Sequence, residues 1–383
     1  MKERKDGQTL SAMDQEPAKA GQDTENSHAK RWFYTFLGLQ LGTLFFIILV
    51  MVVVDPYFHY HKPLSLISYR LYEERYINDG ISRHFDYNAM ITGSSMTQNF
   101  KTSEFDRLFG TKSVKEPFSG AGFEELSQNL DRALTYNKDL KTVLMCLDYN
   151  GLNREHDWKQ YEDYPEYLYD DNLFNDVSYV LNKSILYRGC FNNLFLTLTG
   201  EESTTFDEYS AWGSAYGFSH IMQSYERKVE KVPMAEGLTE EEKERVMENM
   251  EKNIVPLLEK YPDTTFYFFY PPYSILYWDL LEKDGMIKSQ LEAEEMVTDL
   301  LLSYDNVRLF SFFENTDLIC NLDNYRDKEH YISDINSYLL EQMSRGGYEI
   351  TAENQEEHMD FMRRFYLHFD YDAFVKEQSE EKD

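Results

Sequence analysis

Tyr87-Asn88-Ala89-Met90-Ile91-Thr92-Gly93-Ser94-Ser95-Met96 is a short apolar run that ends in a glycine and two serines. A run of that length, stopped by turn residues, suits a strand buried on both faces. Further candidate strands lie at 113–116, 142–147, 264–270 and 307–311, with amphipathic stretches of helical period between them. Phe123, Leu126, Leu130 and Leu134 mark one helical face, and Thr239 with Glu242 forms a capping-box pattern ahead of Val246, Met250, Ile254 and Leu257. Further helices are expected at about 285–303, at 331–343 closing on Gly346-Gly347, and at about 353–376 as one final amphipathic helix. The order β-α-β-α-β, a long insertion, then β-α-β-α predicts a three-layer α/β/α fold around a central, mostly parallel five-stranded sheet.

In open α/β sheets the ligand site lies beyond the carboxyl ends of the strands. The first strand is followed by Gly93-Ser94-Ser95, the second by Pro117-Phe118-Ser119-Gly120-Ala121-Gly122, and the third by Asp148-Tyr149-Asn150-Gly151. Asp327-Lys328-Glu329-His330 follows the fifth, so all four blocks should meet at one sheet edge. A serine hydroxyl becomes a nucleophile when an imidazole takes its proton, and a carboxylate one helical turn before that imidazole can fix its tautomer. Each residue also has a structural reading. Ser95 could cap a helix, His330 could begin one, Gly120 could serve a turn, and Asn150-Gly151 is an ordinary turn dipeptide.

The four blocks resemble those of the SGNH (GDSL-like) esterase and acyltransferase superfamily, namely Gly-Asp-Ser, a glycine, Gly-x-Asn-Asp and Asp-x-x-His. The resemblance spans about residues 85–343 and implies a flavodoxin-like SGNH fold. It implies Ser95 as nucleophile, His330 and Asp327 as its base pair, Gly120 and Asn150 in the oxyanion hole, and no cofactor. Ser94 replaces the usual Asp of the first block. Gly-Ser-Ser at that point is similar to membrane-anchored relatives, the teichoic-acid D-alanylation and polysaccharide O-acetylation proteins. In the third block Asp148 and Gly151 flank Asn150 where the family has Gly and Asp, so Asp148 could instead orient a substrate.

Residues 33–54 carry no charged side chain and are long enough as a helix to cross a hydrocarbon core of roughly 30 Å. Trp32 and Tyr34 stand at one border and Tyr57, Phe58 and Tyr60 at the other. Lys30 and Arg31 precede the span and Asp55 follows it, which predicts a cytoplasmic amino terminus and an extracytoplasmic domain. A cleaved signal peptide would have a shorter apolar region and a small-residue cleavage site, which Val54-Asp55-Pro56-Tyr57 does not supply. The expected organisation is a disordered cytoplasmic tail at 1–31, a transmembrane helix at 32–54 and one domain at 55–383 with an insertion at about 152–262.

The formal charge of −30 argues against nucleic acid as a partner, and an anionic polymer would need local cations. The three cysteines, Cys146, Cys190 and Cys320, show no metal-binding or redox spacing, and the acidic runs contain no D-x-D-x-D-G calcium loop, so metal catalysis is not expected. The insertion, rich in Tyr, Asp and Asn, is expected to roof the site, with Trp212, Tyr216 and Trp278 as aromatic faces for a sugar or as packing; 201–209 reads as a solvated loop. Two functions are compatible with these residues. One is an exported serine esterase or O-acyltransferase acting on a cell-surface polysaccharide or teichoic-acid-like polymer, alongside a polytopic membrane acyltransferase. The other is a catalytically silent scaffold of an envelope acylation complex. A sensor relaying signals to the tail is disfavoured, because residues 1–30 hold no foldable domain.

Overall fold

The computed structural model describes residues 16–161, 164–213 and 215–380. Six strands form one sheet in the order β2-β1-β3-β4-β5-β6: β1 (Ala89–Gly93), β2 (Ser113–Pro117), β3 (Thr142–Cys146), β4 (Thr265–Tyr270), β5 (Val307–Ser311) and β6 (Glu349–Ile350). β1 to β5 run parallel and most of their residues are buried; β1, β3 and β4 are apolar, whereas β2 is Ser-Val-Lys-Glu-Pro and carries Lys115 and Glu116 into the interior. The sheet therefore has six strands, where five are expected from sequence. β6 pairs antiparallel with β5, Ile350 opposite Leu309. Its two residues are too few to show a period, and it forms because the chain reverses at Gly346, whose φ is 72°. Arg308 Nε then donates to Glu349 Oε1 at 2.7 Å across the pair.

Helices cover both faces of the sheet. α1 (Glu16–Val54) precedes it, followed by α2 (Glu74–His84), α3 (Thr102–Phe109), α4 (Phe123–Tyr136), α5 (Glu240–Asn253), α6 (Ile287–Leu301), α7 (Ser333–Ser344), α8 (Gln355–His368) and α9 (Tyr371–Glu380). α3 packs with α7 on one side, and α2, α4, α5, α6 and α8 pack in succession on the other. The expected capping box is present, Thr239 Oγ1 accepting from Glu242 N while the Glu242 carboxylate accepts from Thr239 N. The expected final helix is two helices, because the chain is extended at Phe369 and Asp370 Oδ1 caps the next one by accepting from Ala373 N at 2.9 Å. Residues 201–209 form a pinned loop. Thr204 N donates to Tyr69 O at 2.9 Å, and Tyr209 is buried with its hydroxyl on Asn78 Oδ1 at 2.6 Å.

α1 contains one stretch, Asn26–Val54, that is long and apolar enough to cross a membrane, and only 11% of its most apolar window is buried. A core helix would hide that surface; here Trp32, Tyr34 and Phe45 stand exposed. Of the expected disordered tail at 1–31, residues 1–15 lie outside the described residues, and from Glu16 onward the chain is helical, with Pro17 suited to a first turn. The helix ends on Asp55, at φ 44°, whose carboxylate is buried and gathers the next residues. It accepts from the N–H groups of His59 (3.0 Å), Tyr60 (2.8 Å) and His61 (3.0 Å) and from the Tyr179 hydroxyl (2.8 Å). Asp55→Ala would leave those donors buried without their acceptor, so it should cost about 3 kcal/mol of stability. Thermal unfolding of the full chain in detergent checks this, and an unchanged midpoint would refute the assignment.

Candidate active site

The strand order places a switch point between β1 and β3, where connections leave in opposite directions and a crevice opens at the carboxyl ends. β1 ends at Gly93, with φ 148°, where an added Cβ would come within 2.7 Å of both Cys146 Cβ and Thr97 Cγ2. Only glycine allows β1 and β3 to close that tightly. Ser94 caps the short turn Ser95–Thr97, its hydroxyl accepting from Met96 N at 3.4 Å. The capping reading thus belongs to Ser94, and Ser95 is free to face the crevice.

Ser95 Oγ lies 2.7 Å from His330 Nε2. His330 Nδ1 lies 2.9 and 3.0 Å from the two oxygens of Asp327. The acid and histidine are not one helical turn apart, as the spacing suggests. They sit in a loop ahead of α7, closed by a bridge between the buried Tyr325 and Tyr331, with Arg326 N donating to His330 O at 2.8 Å. Asp327 Oδ1 also accepts from Glu329 N (2.9 Å) and His330 N (2.8 Å), an Asx-type turn that orients the carboxylate. The loop is fastened on two further sides: Ser274 N and Oγ donate to Lys328 O, and from α7 Asn336 Nδ2 donates to Met96 O at 3.2 Å.

Burial alone would raise the Asp327 carboxyl, but the hydrogen bond and charge of His330, with the two backbone donors, outweigh it and hold the group at about 2. Burial acts to lower the His330 imidazole; the hydrogen bond and charge of Asp327, then Glu329 and Asp148, more than offset it, so the imidazolium is favoured above its ordinary range.

Gly120 and Asn150 line the same crevice as Ser95, Asp327 and His330, a space of about 550 Å³. Gly120 has φ 66°, a conformation that favours glycine. Asn150 follows β3 in a single turn, Tyr149–Gly151. Asp148 organises that turn: it accepts from Asn150 N at 3.2 Å and from the Tyr273 hydroxyl. Of the three aromatic residues considered for sugar contact, Trp212 alone reaches the crevice, its ring edge-on to His330 at 5.7 Å. Trp278 is fully buried and stacks on Tyr366 at 3.8 Å, and Tyr216 is exposed beside a separate hollow with Phe218 and Asp323.

Sequence reading did not single out Gln98, Arg154, Gln160 or Arg326, which line the crevice together with Tyr161 of the tyrosine-rich insertion. The Arg326 guanidinium lies over the Trp212 ring at 5.2 Å and that of Arg154 over Trp158 at 3.9 Å. Adjacency to Asp327 was the available signal for Arg326; Arg154 and the insertion residues had none. Cys146 and Cys190 are buried thiols, and Cys320 is partly buried.

No family model and no curated protein matches the chain. A solved structure from Streptococcus pneumonia, provisionally named a platelet activating factor, is similar over 71% of this chain and 88% of its own, at 15% identity and a TM-score of 0.34. The site is therefore read from its own geometry. His330 should lose its proton above the ordinary imidazole value of about 6.5, and Asp327→Asn should bring that midpoint down. Histidine NMR with His330→Gln as the assignment control measures both. A His330 midpoint below the ordinary value, or one that Asp327→Asn leaves in place, would contradict the geometry.

Proposed function

We propose that the chain is a membrane-anchored extracytoplasmic serine esterase or O-acyltransferase that acts on O-acyl groups of a cell-surface glycan or teichoic-acid-like polymer. The observation that carries this reading is the continuous hydrogen-bonded line from Ser95 Oγ through His330 to Asp327. In that reading His330 Nε2 takes the Ser95 proton as Oγ attacks the ester carbonyl, and Asp327 steadies the imidazolium. The tetrahedral oxyanion collapses, the C–O bond to the alcohol breaks, and His330 returns the proton to the departing oxygen. Water or a sugar hydroxyl then loses its proton to His330 and attacks the acyl-serine; the bond from the acyl carbon to Ser95 Oγ breaks, and His330 returns the proton to Oγ. Water makes the protein an esterase; a sugar hydroxyl makes it an acyltransferase.

The oxyanion would be met by the backbone N–H groups of Ser95 and Gly120 and by the Asn150 amide, each such donor contributing roughly 3 kcal/mol to the barrier. The polymer assignment draws support from the apolar span of α1, from the Trp212 ring beside His330, and from Arg154 and Arg326 on the crevice wall. Those guanidiniums are the local cations that an anionic polymer would require against a chain charge of −30. Lys30 and Arg31 before the span favour a cytoplasmic amino terminus, leaving the crevice outside, where a polytopic membrane acyltransferase could deliver acyl groups.

A fluorophosphonate probe should label Ser95 in the folded full chain. Ser95→Ala should abolish labelling and lower turnover of an activated aryl ester by about 10⁴-fold or more, whereas Ser94→Ala should keep both. Folded protein that the probe leaves unlabelled would sink the catalytic reading in favour of the silent scaffold.

A further inference from the structure

We infer that residues 56–72 and 177–200 form a seat on the membrane surface, so that this side of the domain rests in the lipid headgroup region beside the emerging span. The inference rests on α1 crossing the bilayer. The two segments lie together. Ser68 N donates to Thr197 Oγ1 at 2.8 Å and Arg70 N to Asn193 Oδ1 at 3.0 Å. Both meet the end of α1. Cys190 Sγ lies 3.3 Å from Met51 Sδ in the last turn of the span, and Gly189 presses so closely on Pro56 that an added Cβ would meet its ring at 2.7 Å.

The helical run through Leu186–Phe191 and Asn192–Thr199 has two unlike faces. Gly189, Cys190, Asn193 and Leu196 are buried, while Tyr187, Phe191, Phe195 and Leu198 stand exposed at spacings of four, four and three. Leu198 is 86% exposed, and Leu66 on the neighbouring segment is 85% exposed. On a water-soluble surface such a stripe would be costly; beside the end of a membrane span it meets the lipid interface directly.

Charge points the same way. Neither segment contains an aspartate or glutamate, in a chain that has 68 acidic residues. Their lysines and arginines are Lys62, Arg70, Lys183 and Arg188, all exposed; Arg188 approaches Glu73, just past the first segment, at 4.0 Å, and His59 meets Asp176, just before the second, at 3.1 Å. Apolar and aromatic side chains flanked by cations are what an interfacial helix presents to phosphate headgroups, the long basic side chains reaching up to them. Continuity with the span and this local reversal of charge favour lipid over a protein as the occupant.

The test uses the full chain carrying Cys320→Ser, reconstituted in vesicles of phosphatidylcholine and phosphatidylglycerol, with an environment-sensitive fluorophore on Leu66→Cys or Leu198→Cys. Spin-labelled lipid should quench either position by roughly twofold, and should leave Val229→Cys, exposed elsewhere on the domain, unquenched. A label at Leu49→Cys reports the span separately. Quenching at Leu49→Cys but at neither Leu66→Cys nor Leu198→Cys would overturn the seat while leaving the anchor intact. In cells, a photo-crosslinker at position 198 should capture lipid; capture of a protein instead would overturn the assignment in favour of a partner subunit.

Discussion

The approach of β1 to β3 at Gly93 is the contact on which the site depends. Without a side chain there, Cys146 and Thr97 close against the backbone, and the chain turns sharply enough to lift Ser95 over the sheet edge. The turn is then consolidated by Ser94, so the hydroxyl proposed as nucleophile carries none of the structural duty. The histidine loop must reach this point from beyond β5, a strand two places away from β3. It does so as a pinned hairpin, tied through Tyr325 and Tyr331 at its base, Ser274 at its flank and Asn336 beneath. Pre-organisation of this kind costs conformational entropy during folding and, under the proposed reaction, would spare that cost in each turnover.

Much of the fold is legible in the sequence because β1, β3 and β4 are largely buried on both faces and so appear as apolar runs, a pattern from which β2, with Lys115 and Glu116, departs. β5 begins and ends where the run at 307–311 does. The edge strand β6 is not legible, since two residues have no period and its pairing is set by a glycine reversal and by Arg308. The split between α8 and α9 escapes notice for a related reason: no proline or glycine marks Phe369, and the break is made by backbone direction and an Asp370 cap.

The candidate site divides in the same manner. Ser95, Gly120 and Asn150 can be found because they closely follow strand ends, where position along the chain predicts position in space, whereas Asp327 and His330, in a loop well past β5, are found from their Asp-x-x-His spacing. Arg154 and Gln160 cannot, because the path of a long insertion decides what they reach, and Trp212 is marked out by residue type but not by place. Composition gives Trp212 and Trp278 equal standing, yet one abuts His330 and the other is sealed in the core against Tyr366. The insertion is divided as well, with Gln160, Tyr161, Ser210 and Trp212 at the crevice and Cys190 against the end of the span.

Asp55 bears on how far the crevice can travel. A domain on a flexible leash would search a shell of distances from its anchor, and its working height would be an average. Here the helix stops on a carboxylate that immediately collects three amides and a tyrosine hydroxyl, so no slack separates the span from the folded body. If α1 crosses a bilayer, as proposed, the interval between that bilayer and Ser95 is a built dimension, closer to a ruler than to a tether.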